Sequence, residues 1–155
     1  MIKIITGKIN SYKTTRLIDY YQNYKQGDGF ASLKVMHNDI VKEYNLLHLS
    51  KNKKIPYIKR NNQDITEPVI YEIGPYRFLK SAFDYVETEI EKMIEKRVEP
   101  IFLDEISLLE LKNQGFHQIL IKLLAADLDL ILVIRNDLLI DVLAKYQFKD
   151  YKIIK

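Results

Sequence analysis

The final third of the chain alternates short, continuously apolar runs with stretches of helical period, and few architectures accept that pattern. Ile101-Phe102-Leu103, Leu130 to Ile134 and Tyr151 to Ile154 read as strands. Between them, Phe116, Ile119, Leu120, Leu123 and Leu124, then Leu138, Leu139, Val142, Leu143 and Tyr146, recur at spacings of three and four. Strands apolar on both faces must be covered on both faces, so βαβαβ here implies a largely parallel sheet between layers of helices. The start of the chain is built the same way. Ile2 to Thr6 is a β-branched run that stops at Gly7, and from Thr14 the positions Leu17, Ile18, Tyr21 and Tyr24 predict a helix ended by Gly27-Asp28-Gly29.

The middle of the chain differs. Gly29 to Val35, Val41 to Leu49, Lys54 to Lys59 and Pro68 to Ile73 alternate only partly and are separated by polar turn residues, which predicts a meander of antiparallel strands. After Gly74-Pro75, the stripe Leu79, Phe83, Val86, Ile90, Met93 and Ile94 predicts a long amphipathic helix. The expected whole is one α/β domain over residues 1–155, with an antiparallel insertion at approximately 29–73. At 155 residues there is no room for a second core of its own.

Composition narrows the function. Lys plus Arg number 24 against 21 Asp plus Glu, a net charge of +3, too weak for a dedicated electrostatic binder of nucleic acid. The absence of Cys excludes a disulfide scaffold, a thiolate zinc site and thiol catalysis, and agrees with a reducing compartment. No run approaches the 18 apolar residues of a membrane span. The opening Met1 to Gly7 is unlike a secretory signal, so the expected location is the cytoplasm without membrane association.

Between the first strand and first helix lies Gly7-Lys8-Ile9-Asn10-Ser11-Tyr12-Lys13-Thr14-Thr15. It follows the Walker A pattern G-x-x-x-x-G-K-[S/T] at Gly7, Lys13 and Thr14, in the required strand, loop and helix context, and departs from it at Tyr12, where glycine is expected. Such a loop wraps a phosphate with consecutive backbone N–H groups at a helix N-terminus, where the helix dipole also favours an anion. Lys13 is then placed for the β- and γ-phosphates, Thr14 for Mg²⁺, and Thr15 for the α-phosphate. Asn10 suits a position of positive φ. At Tyr12 a ring must turn away from the nucleotide, with about 1–3 kcal/mol of backbone strain. The plainer alternative is an ordinary βα loop whose Lys and Thr residues cap the helix.

Ile101-Phe102-Leu103-Asp104-Glu105 is an apolar strand with two carboxylates at its carboxyl end, where open α/β sheets bind ligands. That is a Walker B pattern. Asp104 is the candidate for holding Mg²⁺ and Glu105 for polarising the attacking water, a group that a kinase does not need. Taken alone, the pair also reads as a helix cap beside a solvated Glu.

The block Asp104-Glu105-Ile106-Ser107-Leu108-Leu109-Glu110-Leu111, followed by Gly115-Phe116, resembles the D-E-I-G-x-x-E-L-x-x-x-x-F block of a family of small P-loop nucleoside triphosphatases first known from thermophiles. Gly29-Phe30-Ala31-Ser32 and Ile73-Gly74-Pro75-Tyr76 are similar to other segments of that family, in the same order. Ser107 stands where the family has Gly. The resemblance implies a RecA-like three-layer P-loop sandwich with an antiparallel β extension, hydrolysing ATP, GTP and other nucleoside triphosphates to diphosphate and phosphate with Mg²⁺. It carries over to Gly7, Lys13, Thr14, Asp104 and Glu105. Glu110 matches without a chemical role beyond a second acidic group or a salt bridge. The alternative, prompted by Tyr12 and Ser107, is a nucleotide-binding regulatory module with weak or no hydrolysis.

Arg135, after the strand Leu130 to Ile134, is a candidate for stabilising the transferred phosphoryl group, against pairing with Asp104, Glu105 or Asp137. His37, His48 and His117 have no metal-ligand spacing. Lys51, Lys53, Lys54, Lys59 and Arg60 surround Tyr57, a run that reads first as a solvated hairpin face and only secondarily as a nucleic-acid contact. No protein partner follows from the sequence.

Overall fold

The computed structural model describes residues 1–154. A single sheet runs through the molecule, and its strand order shows where the parallel and antiparallel parts meet. The elements are β1 (Ile2–Gly7), α1 (Lys13–Tyr24), β2 (Asp28–His37), β3 (Ile40–His48), β4 (Lys53–Arg60), β5 (Val69–Ile73), β6 (Tyr76–Leu79), α2 (Lys80–Glu95), β7 (Ile101–Ile106), α3 (Leu108–Leu111), α4 (His117–Ala126), β8 (Leu130–Arg135), α5 (Leu139–Tyr146) and β9 (Tyr151–Ile154). Their order across the nine-stranded sheet is β5-β6-β4-β3-β2-β7-β8-β1-β9.

The half from β2 to β9 is parallel. From β2 outward the partners are antiparallel, and β2 belongs to both halves: Asp28 to Phe30 pair with β7, while Phe30 to His37 pair with β3. The expected insertion is therefore not a separate unit but a continuation of the same sheet. Its far edge differs from expectation. The segment after Gly74-Pro75 first forms β6, antiparallel to β5 and β4, and the helix begins only at Lys80. The four residues of β6 bury Phe78 and Leu79 side by side rather than in alternation, and so short a run cannot be separated from a helix start by period alone.

Alternation along the central strands divides two apolar layers. Ile4, Ile101, Leu103, Leu130, Leu132 and Ile134 face α2, α4 and α5, whereas Ile5, Phe102, Ile131 and Val133 face Leu17 of α1. This is the three-layer sandwich implied by the chain's opening and closing thirds. Tyr57, which the sequence places among lysines, is only 5% exposed and packs with its ring 5.6 Å from Phe78 and Phe83. The basic run accordingly has no exposed aromatic at its centre, and Lys51 pairs with Glu89 while Lys53 covers the ring of Tyr85. Among the described residues no helix is long and apolar enough to cross a membrane.

Candidate nucleotide site

Both candidate motifs emerge at the carboxyl edge of the parallel strands, one on β1 and the other on β7, with β8 and its Arg135 between them. There an open cleft of about 880 Å³ lies between the loop after β1 and the antiparallel half of the sheet, lined by residues 9–15 together with Ser32, Lys34, Tyr44, Glu105 and Arg135. A smaller cavity of about 260 Å³ lies at the opposite edge, near Met1, Pro100 and Asp129, away from both motifs.

Two residues of the loop after β1 adopt left-handed backbone. Asn10 has φ 60°, as expected for that residue. Tyr12 has φ 62° and ψ 30°, the left-handed conformation of a glycine, and it immediately precedes α1 as its N-cap. Its ring is 77% exposed and so stands clear of the loop interior. A tyrosine is therefore held in a glycine's conformation where the pattern has glycine. At Gly7 a Cβ would meet the hydroxyl of Ser11, which would have to rotate away. Lys13 Nζ donates to the carbonyl of Lys8 at 2.5 Å, folding the lysine over the loop. Burial, followed by the nearby charges of Arg135 and Lys34, lowers the Lys13 ammonium pKa, against the opposing pull of Glu105 and Asp104.

The carboxylates owe their arrangement to a break in β7. Leu103 is level with Leu132 and Ile106 with Ile134, so Asp104 and Glu105 together stand opposite Val133. This is a β-bulge, with Glu105 at φ 60°. Neighbouring side chains on a regular strand point to opposite faces. The extra residue instead lets Asp104 sink to 3% exposure while Glu105 opens into the cleft. Thr14 Oγ1 donates to Asp104 Oδ2 at 2.7 Å, and the N–H of Ser32 donates to the same oxygen at 2.8 Å. Asp104 Oδ1 and Ser32 Oγ are buried and have no hydrogen-bond partner among the described residues. Burial and the charge of Glu105 raise the Asp104 carboxyl pKa. Glu105 has an open side chain on a crowded floor; that crowding raises its pKa, while Lys13, Lys34 and Arg135 pull it down.

Three further candidates resolve plainly. Arg135 lines the cleft, but its Nε donates to Asp137 at 2.5 Å, so of the pairings open to it the structure shows that with Asp137. Glu110 is 2% exposed and forms no salt bridge among the described residues. It accepts the N–H of Ser107 and of Phe116, both at 2.8 Å, and so folds the turn after β7. A Cβ on Gly115 would strike that carboxylate, which explains why Glu110, Gly115 and Phe116 occur together. Ser107 has φ −151°, so the position where the family has Gly does not call for a left-handed backbone here. Sequence reasoning did not single out Lys34, whose Nζ reaches Asn10 Oδ1 at 2.5 Å from β2. A lysine within an alternating strand looks like solvated surface until the neighbouring loop is known.

A strand, a phosphate-type loop and a helix, with an acidic strand end bonded to the helix's first turn, define the P-loop class of nucleoside triphosphatases. The chain is matched over residues 3–155 by the model of the NTPase family and belongs to that family. Two solved structures share the fold. The crystal structure of THEP1 from the hyperthermophile Aquifex aeolicus superimposes with a TM-score of 0.72 at 18% identity, covering 100% of this chain and 89% of that one. The solution structure of a human cancer-related nucleoside triphosphatase does so with a TM-score of 0.66 at 17% identity, covering 98% of this chain and 86% of that one. No curated protein matches the chain by sequence.

Proposed function

We propose that the protein is a Mg²⁺-dependent nucleoside triphosphatase acting on ATP, GTP and related triphosphates, with its site at the cleft between residues 7–15 and Glu105. The observation that carries this reading is the meeting of the two motifs: Thr14 is bonded to Asp104, an oxygen of Asp104 is left buried and unpartnered, and Glu105 opens beside them. An orphaned carboxylate oxygen next to a hydroxyl is a hard-oxygen donor set. It fits a Mg²⁺ that keeps waters and phosphate oxygens as its remaining ligands. Thr14 and Asp104 are the residues that would hold it. When bound, Mg²⁺ would neutralise charge developing between the β- and γ-phosphates.

The chain's own groups supply the rest. Backbone N–H groups of Lys8, Ile9, Asn10, Ser11, Tyr12 and Lys13 wrap the phosphates at the start of α1, Thr15 reaches the α-phosphate, and Lys13 exchanges the Lys8 carbonyl for phosphate oxygens. Glu105 accepts a proton from water. The water oxygen bonds to the γ-phosphorus as the bond to the bridging oxygen breaks, leaving that electron pair on the diphosphate and releasing inorganic phosphate. A carboxyl whose pKa is raised by its surroundings is the stronger base for that step. Arg135 borders the cleft, with its charge shared with Asp137.

Phosphate release from ATP and GTP with Mg²⁺, measured on the parent chain and on Lys13→Ala, tests the reading. Activity in the parent that is lost in Lys13→Ala supports it; no release from the parent overturns it. Tyr12 favours a second reading, binding without turnover, because the strained residue lies next to the phosphate-binding lysine. Nucleotide binding without phosphate release would select that reading.

A further inference from the structure

Three cations line the cleft that Glu105 opens into: Lys13, Lys34 and Arg135. They differ in what holds them. Arg135 is neutralised by Asp137 at 2.5 Å, and Lys13 is the lysine of the loop itself. Lys34 comes from the antiparallel side, across the cleft from α1, and forms no ion pair among the described residues. Its one polar contact is the amide oxygen of Asn10, at the tip of the loop. An ammonium held only by a neutral side chain, beside a site for a highly charged anion, loses little by exchanging that partner for a phosphate.

We propose that Lys34 is a second phosphate-binding lysine, supplied within the chain from β2, which exchanges Asn10 for the terminal phosphate of the bound nucleotide. This rests on the nucleoside triphosphatase reading above. The position of Lys34 gives it a specific task. Residues 7–15 approach the nucleotide from the β1 side, whereas Lys34 approaches from the Glu105 side, where the terminal phosphate meets the attacking water. It therefore discriminates triphosphate from diphosphate and offsets charge on the phosphoryl group as it transfers. The role assigned from sequence to Arg135 passes in this arrangement to a residue with an unpaired charge.

The test is the ratio of affinities for a non-hydrolysable triphosphate and the matching diphosphate, measured by calorimetry with Mg²⁺ on the parent, Lys34→Ala and Lys34→Arg, together with kcat. Lys34→Ala is expected to weaken triphosphate binding by about tenfold, as for a charge-assisted hydrogen bond, and to leave diphosphate binding within about twofold. It lowers kcat as well, and Lys34→Arg restores part of both. Equal weakening for both nucleotides would mean that Lys34 only shapes the loop through Asn10, and unchanged affinity for both would mean that it does not meet the phosphate; either overturns the proposal. If the parent itself binds neither nucleotide, the underlying reading fails with it. A parent that binds and hydrolyses while Lys34→Ala keeps its ratio isolates the failure to Lys34.

Discussion

The hydroxyl of Thr14 and the carboxylate of Asp104 are joined by a 2.7 Å hydrogen bond across ninety residues of chain. That bond ties the first turn of α1 to the bulge of β7. It uses one Asp104 oxygen and leaves the other buried without a partner. In the nucleotide-free protein such a carboxylate is a cost to stability, and the proposed Mg²⁺ site is what it serves.

Asp104→Asn should therefore move stability and activity in opposite directions. An acid whose pKa is raised on folding destabilises the fold at neutral pH, and the neutral amide removes that penalty. Thermal unfolding without nucleotide should rise by about 2–4 °C for each kcal/mol recovered. Phosphate release with Mg²⁺ should fall by about 100-fold or more. A variant that is less stable and still active would contradict both statements.

Glu105→Gln keeps the size of the side chain and removes the proposed base. Turnover should fall by about 100-fold, the lower range for general-base catalysis, while nucleotide affinity stays close to that of the parent. Single-turnover phosphate release and calorimetric titration on the same preparation separate the two effects.

Tyr12 tests how the loop tolerates a side chain where glycine is expected. Because the ring stands in solvent, Tyr12→Ala should alter nucleotide affinity by less than about 0.5 kcal/mol. Tyr12→Gly relieves left-handed strain of about 1–3 kcal/mol, partly offset by about 0.5–1 kcal/mol of extra chain entropy, so its melting temperature should equal or exceed the parent's. A marked loss of affinity in Tyr12→Ala would instead place the ring against the nucleotide.

Glu110→Ala should damage folding rather than chemistry. It leaves the N–H groups of Ser107 and Phe116 without their acceptor, at about 1–3 kcal/mol each. Urea unfolding should show the loss, and the folded fraction should bind nucleotide as the parent does.

A pH dependence of stability follows from Asp28, which lies at the opposite end of β2 from the site. Burial pushes its carboxyl pKa up, but hydrogen bonds from His48, Ser50 and Gly29 outweigh that and hold it below its ordinary 3.8. A depressed acid pKa contributes stability above the unfolded value and loses it as pH falls through the folded one. Asp28→Asn should therefore cost about 1–3 kcal/mol at pH 7, and much less at a pH below the depressed folded value. Urea titrations at the two pH values measure the difference.

Much of this molecule follows from local pattern. The buried runs at Ile2 to Thr6, Ile101 to Leu103 and Leu130 to Ile134, with their helices between, require a covered parallel sheet, and their carboxyl ends carry the two motifs. Gly7, Lys13, Thr14, Asp104 and Glu105 are legible because each motif is contiguous in the chain. Tertiary structure alone decided the rest. The bulge that buries Asp104 against Thr14 and opens Glu105 into the cleft depends on the register with β8, and period-two alternation would have set them on opposite faces. Tyr57 became core, and the residues after Pro75 became β6, because burial against the neighbouring Phe83 and pairing with β4 and β5 outweigh composition. Lys34 and Asn10 lie 24 residues apart, and Arg135 chose Asp137 over the site's carboxylates; a charge's partner is set by distances that only the folded chain creates.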